Sequence, residues 1–142
     1  YTAKGDRNAA IAVLTDYKKF GGENPDVLEK LASLQEEAGH PQDAAATLDG
    51  INDIYPLDED LHRRLGDLLL TLHNEPDAIR EYTALVSLHP LDKAGALYKL
   101  AAAYFAARQI DKAEEQVLAA LEAAPNYRPA QNLLLQIEDA HK

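Results

Sequence analysis

The stretch Ala94–Pro125 reads AGALYKLAAAYFAARQIDKAEEQVLAALEAAP, and its pattern decides the fold. Leu97, Leu100, Ala101 and Tyr104 fall at helical spacing. A short polar turn follows at Arg108–Ile110. A second helical pattern then carries Ala113, Val117, Ala120 and Leu121, and Pro125 stops it. Such helices are too short to be stable alone, so each must bury its apolar stripe against a neighbour.

The same template recurs upstream. The alanine of the second helix appears as Ala10, Ala44, Ala78 and Ala113, at spacings of 34, 34 and 35. The stop position appears as Gly22, Pro56, Pro90 and Pro125, and the small residue of the first helix as Ala32, Gly66 and Ala101. Three columns in register resemble the tetratricopeptide repeat (TPR), a helix–turn–helix unit of about 34 residues. The resemblance covers residues 5–138. It implies an all-α fold, an α-α superhelix or TPR solenoid of about eight antiparallel helices without strands, similar to bacterial TPR domains cut from larger chains.

Within that frame, residues 5–24 form a half repeat, 25–58, 59–93 and 94–127 are complete repeats, and 128–142 are a capping helix. Helices are expected over residues 8–20, 25–38, 41–54, 58–73, 76–88, 92–107, 111–123 and 127–140. Gly5 and Asp6 read as a turn before the first, with Asn8 as its N-cap. Asp111 and Glu114 have the spacing of a capping box. The family pattern is not met everywhere. Leu28, His62 and Leu97 replace an aromatic, and His73 and Arg108 stand where Gly5 and Gly39 supply the turn glycine.

Composition narrows the function. The chain has 142 residues, no Cys, no Met and a net charge of −10. Without Cys there is no disulfide framework, thiolate metal site or cysteine nucleophile. No apolar run approaches the ~20 residues of a membrane span. The missing Met, even at position 1, reads as a segment of a longer chain, so targeting stays unknown. Residues 21–62 hold eleven carboxylates and one base, Lys30. That balance opposes nucleic acid, whose phosphates need Lys and Arg. It fits either a solvated acidic face or a docking surface for a basic partner.

No catalytic, cofactor or metal constellation is found. None of His40, His62, His73, His89 and His141 has the spacing of a zinc-peptidase helix. His40, His73 and His89 fall in turns or at helix ends, and His62 at a packing position. Asp58, Glu59 and Asp60 read as acids at a helix N-terminus rather than a calcium loop. Ser33 and Ser87 have no visible His–Asp partners. The fragment is therefore expected not to be an enzyme.

The resemblance implies a groove lined by the first helices. Its positions are Asp26, Glu29, Ser33, Glu36 and Glu37 in the first complete repeat and Asp60, Arg63, Asp67, Leu70 and Thr71 in the second. In the third they are Gly95, Tyr98, Ala102, Phe105 and Ala106, and Asn132 and Gln136 follow on the end helix. This implies a protein or peptide partner with basic residues and an apolar anchor, met by Tyr98 and Phe105, unless Phe105 packs on the end helix instead. Family members that hold chaperone tails use a carboxylate clamp of Lys and Asn. Glu29, Ser33, Arg63 and Asp67 stand there here, so no clamp is expected. A second reading is a non-catalytic appendage of a larger enzyme acting in cis. The stretch AAPNYRPAQNLLLQ at 123–136 is similar to tails that follow metallopeptidase-like domains.

Overall fold

In a computed structural model that describes residues 2–142, with side chains from residue 5 onward, the described residues form eight α-helices and no strand. They are α1 (Thr2–Lys19), α2 (Pro25–Glu37), α3 (Pro41–Ile54), α4 (Glu59–Thr71), α5 (Glu75–Ser87), α6 (Lys93–Ala106), α7 (Ile110–Ala123) and α8 (Arg128–Ala140). Proline occupies the first turn of α2, α3, α5 and α8, where its missing N–H costs nothing. Asn24, Asn74 and Asp92 cap α2, α5 and α6 with their side-chain oxygens. Asp58 does the same for the Leu61 N–H in the first turn of α4.

Two expected local features are absent. Gly5 and Asp6 make no turn and Asn8 is no N-cap, because α1 runs continuously from Thr2. Gly5 lacks the positive φ of a turn glycine, and glycine inside a helix costs only about 1 kcal/mol. The Arg7 guanidinium also donates to the Glu37 carbonyl and ties this end of α1 to α2. Asp111 does not cap α7, which begins one residue earlier at Ile110 with Gln109 at the N-cap.

The chain divides into two compact units, Tyr1–Leu61 and His62–Lys142. In the first, α2 packs on both α1 and α3. Leu28, Leu31 and Ala32 of α2 meet the inner stripe of α3, where Ala44, Leu48 and Ile51 are fully buried. One polar pair lies within this core, with Thr47 Oγ1 donating to Gln35 Oε1 at 2.7 Å. A buried amide and a buried hydroxyl that satisfy each other avoid the cost of an unmade hydrogen bond.

In the second unit α6 packs on α5, α7 and α8. Leu97, Ala101, Ala113, Val117, Ala120, Ala130, Leu133 and Ile137 form one buried cluster. Gly66 of α4 lies against the ring of Tyr82 on α5, and an added Cβ would sit 2.5 Å from Tyr82 Cε1. His62, expected at a packing position, is 4% exposed, and its Nδ1 lies 2.9 Å from Oε1 of the buried Glu81. Arg80 Nε donates to the other oxygen of Glu81 at 2.8 Å. A buried carboxylate needs such partners to keep its charge.

Short turns reverse the chain in a repeated way. Gly39, His73 and Arg108 hold equivalent positions, and all have positive φ (81, 60 and 63°). In each turn the following N–H reaches back five residues. His40 N donates to Gln35 O, Asn74 N to Leu69 O, and Gln109 N to Tyr104 O. This left-handed C-terminal closure satisfies helix carbonyls that would otherwise be orphaned. It suits glycine, because a Cβ in the left-handed region costs about 1–2 kcal/mol.

Two stability predictions follow from this packing. Arg108→Gly should stabilise the protein by about 1 kcal/mol, as relief of left-handed strain exceeds the added chain entropy. A lower thermal midpoint would show that Arg108 is not strained. Gly66→Ala should destabilise by about 1–2 kcal/mol, because overpacking against a buried ring outweighs the gain in helix propensity. Denaturant titration measures this, and an unchanged midpoint would mean that Tyr82 moves aside at no cost.

Candidate functional site

Some of the residues expected to meet a ligand share a face of α2 in the first unit, and others line a cleft in the second. In the first unit, Asp26, Glu29, Ser33 and Glu36 follow the helical period along one side of α2. Asp26 and Glu36 are exposed, and Glu29 and Ser33 are half-buried. Glu37 turns to the α1 side. It lines a cleft of about 640 Å³ with Asp6, Arg7, Ala10, Lys30 and Leu34, among them two of the unit's bases. Asp60 is exposed in the first turn of α4.

In the second unit the structure brings Tyr98, Ala102, Phe105 and Asn132 together. With Pro129, Leu133 and Gln136 they line a cleft of about 430 Å³ between α6 and α8. Positions 98, 102 and 105 lie one helical turn apart, so they share a face of α6. Asn132 and Gln136 are exposed, four residues apart on α8, and place two amides at the rim. Pro129 and Leu133 supply the apolar wall. Tyr98 meets Tyr127 edge to face, with ring centroids 5.9 Å apart at 78°. Such pairs hold aromatic rings in place. Phe105 packs, partly buried, against the core cluster and also lines this cleft.

The remaining positions are distributed differently. Arg63 and Leu70 are half-buried on α4. The Thr71 hydroxyl donates to the Asp67 carbonyl, and Ala106 is exposed at the end of α6. Gly95 offers no surface, because it is buried beneath the Asp92 carboxylate that caps α6.

Asp67 is committed within the protein. Tyr82 donates its phenol hydrogen to Asp67 Oδ1 at 2.5 Å, and Lys99 Nζ lies 2.9 Å from the same oxygen. Lys99 also stands over the Tyr82 ring, 6.0 Å from its centroid. This link joins α4, α5 and α6. Lys99 lies 32 residues after Asp67, nearly one repeat, so comparing adjacent first helices would have revealed the pair. Burial and then the Asp67 carboxylate raise the Tyr82 phenol above its ordinary value of 10.0 and keep it protonated. Desolvation first, then Asp92 and Tyr98, also raise Tyr127.

Among the described residues no group of His, Cys, Asp or Glu is arranged to hold a metal ion. No helix there is long and apolar enough to cross a membrane.

The link predicts a pH dependence. A phenol whose folded pKa is raised contributes stability that is complete below pH 10.0 and is lost as pH rises through that value toward the folded one. Tyr82→Phe should cost about 1 kcal/mol at neutral pH, discounted for the half-exposed Asp67. It should also flatten the loss of stability above pH 10.0. Equal alkaline slopes in the two proteins would assign that loss to other groups.

No family model matches the sequence, and no curated protein does. Solved structures resemble it closely. The crystal structure of MamA is 25% identical, with a TM-score of 0.71 over 91% of this chain and 75% of that one. YrrB, described as a TPR protein with an unusual peptide-binding site, is 20% identical, with a TM-score of 0.72 over 94% and 68%. The first TPR of Spaghetti (RPAP3), bound to an HSP90 peptide SRMEEVD, is 23% identical, with a TM-score of 0.68 over 80% and 90%.

Proposed function

We propose that this chain, whose fold is that of the tetratricopeptide-repeat proteins, is a non-catalytic interaction module for a peptide or helix of another protein. The observation that carries this reading is the cleft between α6 and α8. Tyr98, Ala102, Phe105, Pro129 and Leu133 supply its apolar part, and two amides stand at its rim. It suits a large apolar side chain whose backbone can bond to Asn132 or Gln136. Aromatic residues of this kind dominate binding energy where they line a pocket. The chain's net charge of −10 favours a ligand that also carries Lys or Arg.

The same charges disfavour an acidic tail. The peptide bound by the RPAP3 domain ends in EEVD. Glu29 and Ser33 stand on α2 where a carboxylate clamp would need Lys and Asn. A scaffold appended to an enzyme and acting in cis is the second reading, supported by the stretch at 123–136.

A displayed random-peptide library should yield ligands with a large apolar residue and at least one Lys or Arg. Phe105→Ala should weaken a selected peptide roughly tenfold or more. Asn132→Arg, on the exposed rim, should weaken it without loss of helicity. The SRMEEVD peptide should not bind. Enrichment of acidic peptides, or equal affinity of both variants by calorimetry, would overturn the proposal.

A further inference from the structure

One end of the first unit exposes apolar side chains that neither the core nor the cleft explains. Phe20 is 82% exposed, Leu57 77%, Tyr55 41% and Ile54 37%. Short connections make α1, α2 and α3 successive antiparallel neighbours, since residues 20–24 join the first pair and 38–40 the second. The C-terminal ends of α1 and α3 therefore lie at the same end of the unit, beside the start of α2. Phe20 follows α1 directly, and Tyr55 and Leu57 follow α3. Single exposed apolar residues need no explanation, but several gathered at one end of a small unit mark a contact surface.

The turn that carries Phe20 is held by hydrogen bonds and a close ring contact. Gly21 takes positive φ, and the Gly22 N–H donates to the Tyr17 carbonyl at 2.9 Å. The Asn24 N–H donates to the Tyr17 hydroxyl at 3.1 Å. Gly22 lies against the Tyr17 ring so closely that no Cβ would fit. Tyr17 thus clamps the turn from inside while Phe20 points to solvent. Backbone held in this way has little order left to gain when a partner covers Phe20.

The surroundings specify the partner. Glu23, Asp26 and Asp53 are exposed at the same end, and Asp58, Glu59 and Asp60 follow in the next turn. Lys18 and Lys19, on the last turn of α1, offset two of these six charges. The surface stays net acidic around an apolar centre. A second copy would oppose acid to acid, and an anionic bilayer would be repelled.

We propose that the Phe20, Tyr55 and Leu57 end of the first unit is a second docking surface. Its partner is a basic amphipathic segment of another protein, and it acts independently of the α6–α8 cleft. The segment lays its apolar stripe on Phe20 and Leu57 and its Lys or Arg residues toward Glu23, Asp26 and Asp53.

The test uses the chain with two synthetic amphipathic peptides that share one leucine stripe, one with Lys and one with Glu on the polar face. Backbone amide NMR reads the site directly. The Lys peptide should shift residues 19–24 and 54–58, and the Glu peptide should not. Phe20→Ser with Leu57→Ser, both at exposed positions, should lower Lys-peptide affinity by about tenfold. The same double variant should leave binding of an α6–α8 peptide unchanged, so failure here is separable from failure of the cleft. Equal binding of both peptides, shifts confined to other residues, no binding of the Lys peptide, or full affinity in the double variant would each overturn the proposal. So would Phe20-dependent binding to phosphatidylcholine vesicles with none to the Lys peptide, which would make the surface a lipid contact.

Discussion

Close approach of short helices is the constraint on which the structure depends. Each helix has 13 to 18 residues, too few to persist alone in water. Stability must come from burying one stripe against a neighbour at interaxial distances of about 8–10 Å. Bulky residues on both sides would hold the helices apart, so one column on each carries small residues. Ala32 and Ala101 on first helices, and Ala44, Ala78 and Ala113 on second helices, are fully buried. Gly66 carries the principle furthest, because its missing side chain leaves the space that the Tyr82 ring fills. That ring then brings its hydroxyl to Asp67 and supports Lys99. One absent methyl group thus organises a polar link across three helices.

The same economy frees the surface for recognition. Leu97, Leu100 and Ala101 fill the inner face of α6, so Tyr98 and Phe105 are only partly buried against the core. They line a cleft whose floor is the packed edge of the unit and whose rim carries amides. The apolar end formed by Phe20, Tyr55 and Leu57 has a different origin. It arises where turns between helices hold side chains outward, not where helices leave a gap.

Much of the fold was legible in the chain. Period, proline positions and the alanine columns located all eight helices, because each signal acts locally and repeats. Failures came where a local signal has two readings. Gly5 resembled a turn glycine, but only the absence of closing hydrogen bonds tells a helix glycine from a turn glycine. His73 and Arg108, placed by the repeat register at the turn-glycine position, do adopt its positive φ without being glycine. Of the site, positions 98, 102, 105 and 132 were readable from the register and do converge. The Asp67–Lys99 pair was legible from the repeat spacing but missed, whereas the hydrogen bond from Tyr82 to Asp67 was not legible, since it depends on a ring reaching between helices. Nor was the burial of Glu81, whose partner His62 lies 19 residues away.

The central claim is that the α6–α8 cleft receives an apolar side chain from a peptide ligand. Its most direct measurement is intermolecular NOE spectroscopy on the protein saturated with a selected peptide. NOEs from the peptide's apolar side chain to the rings of Tyr98 and Phe105 and to the Leu133 methyls are the predicted result. NOEs confined to the exposed face of α7, around Leu118, would contradict it.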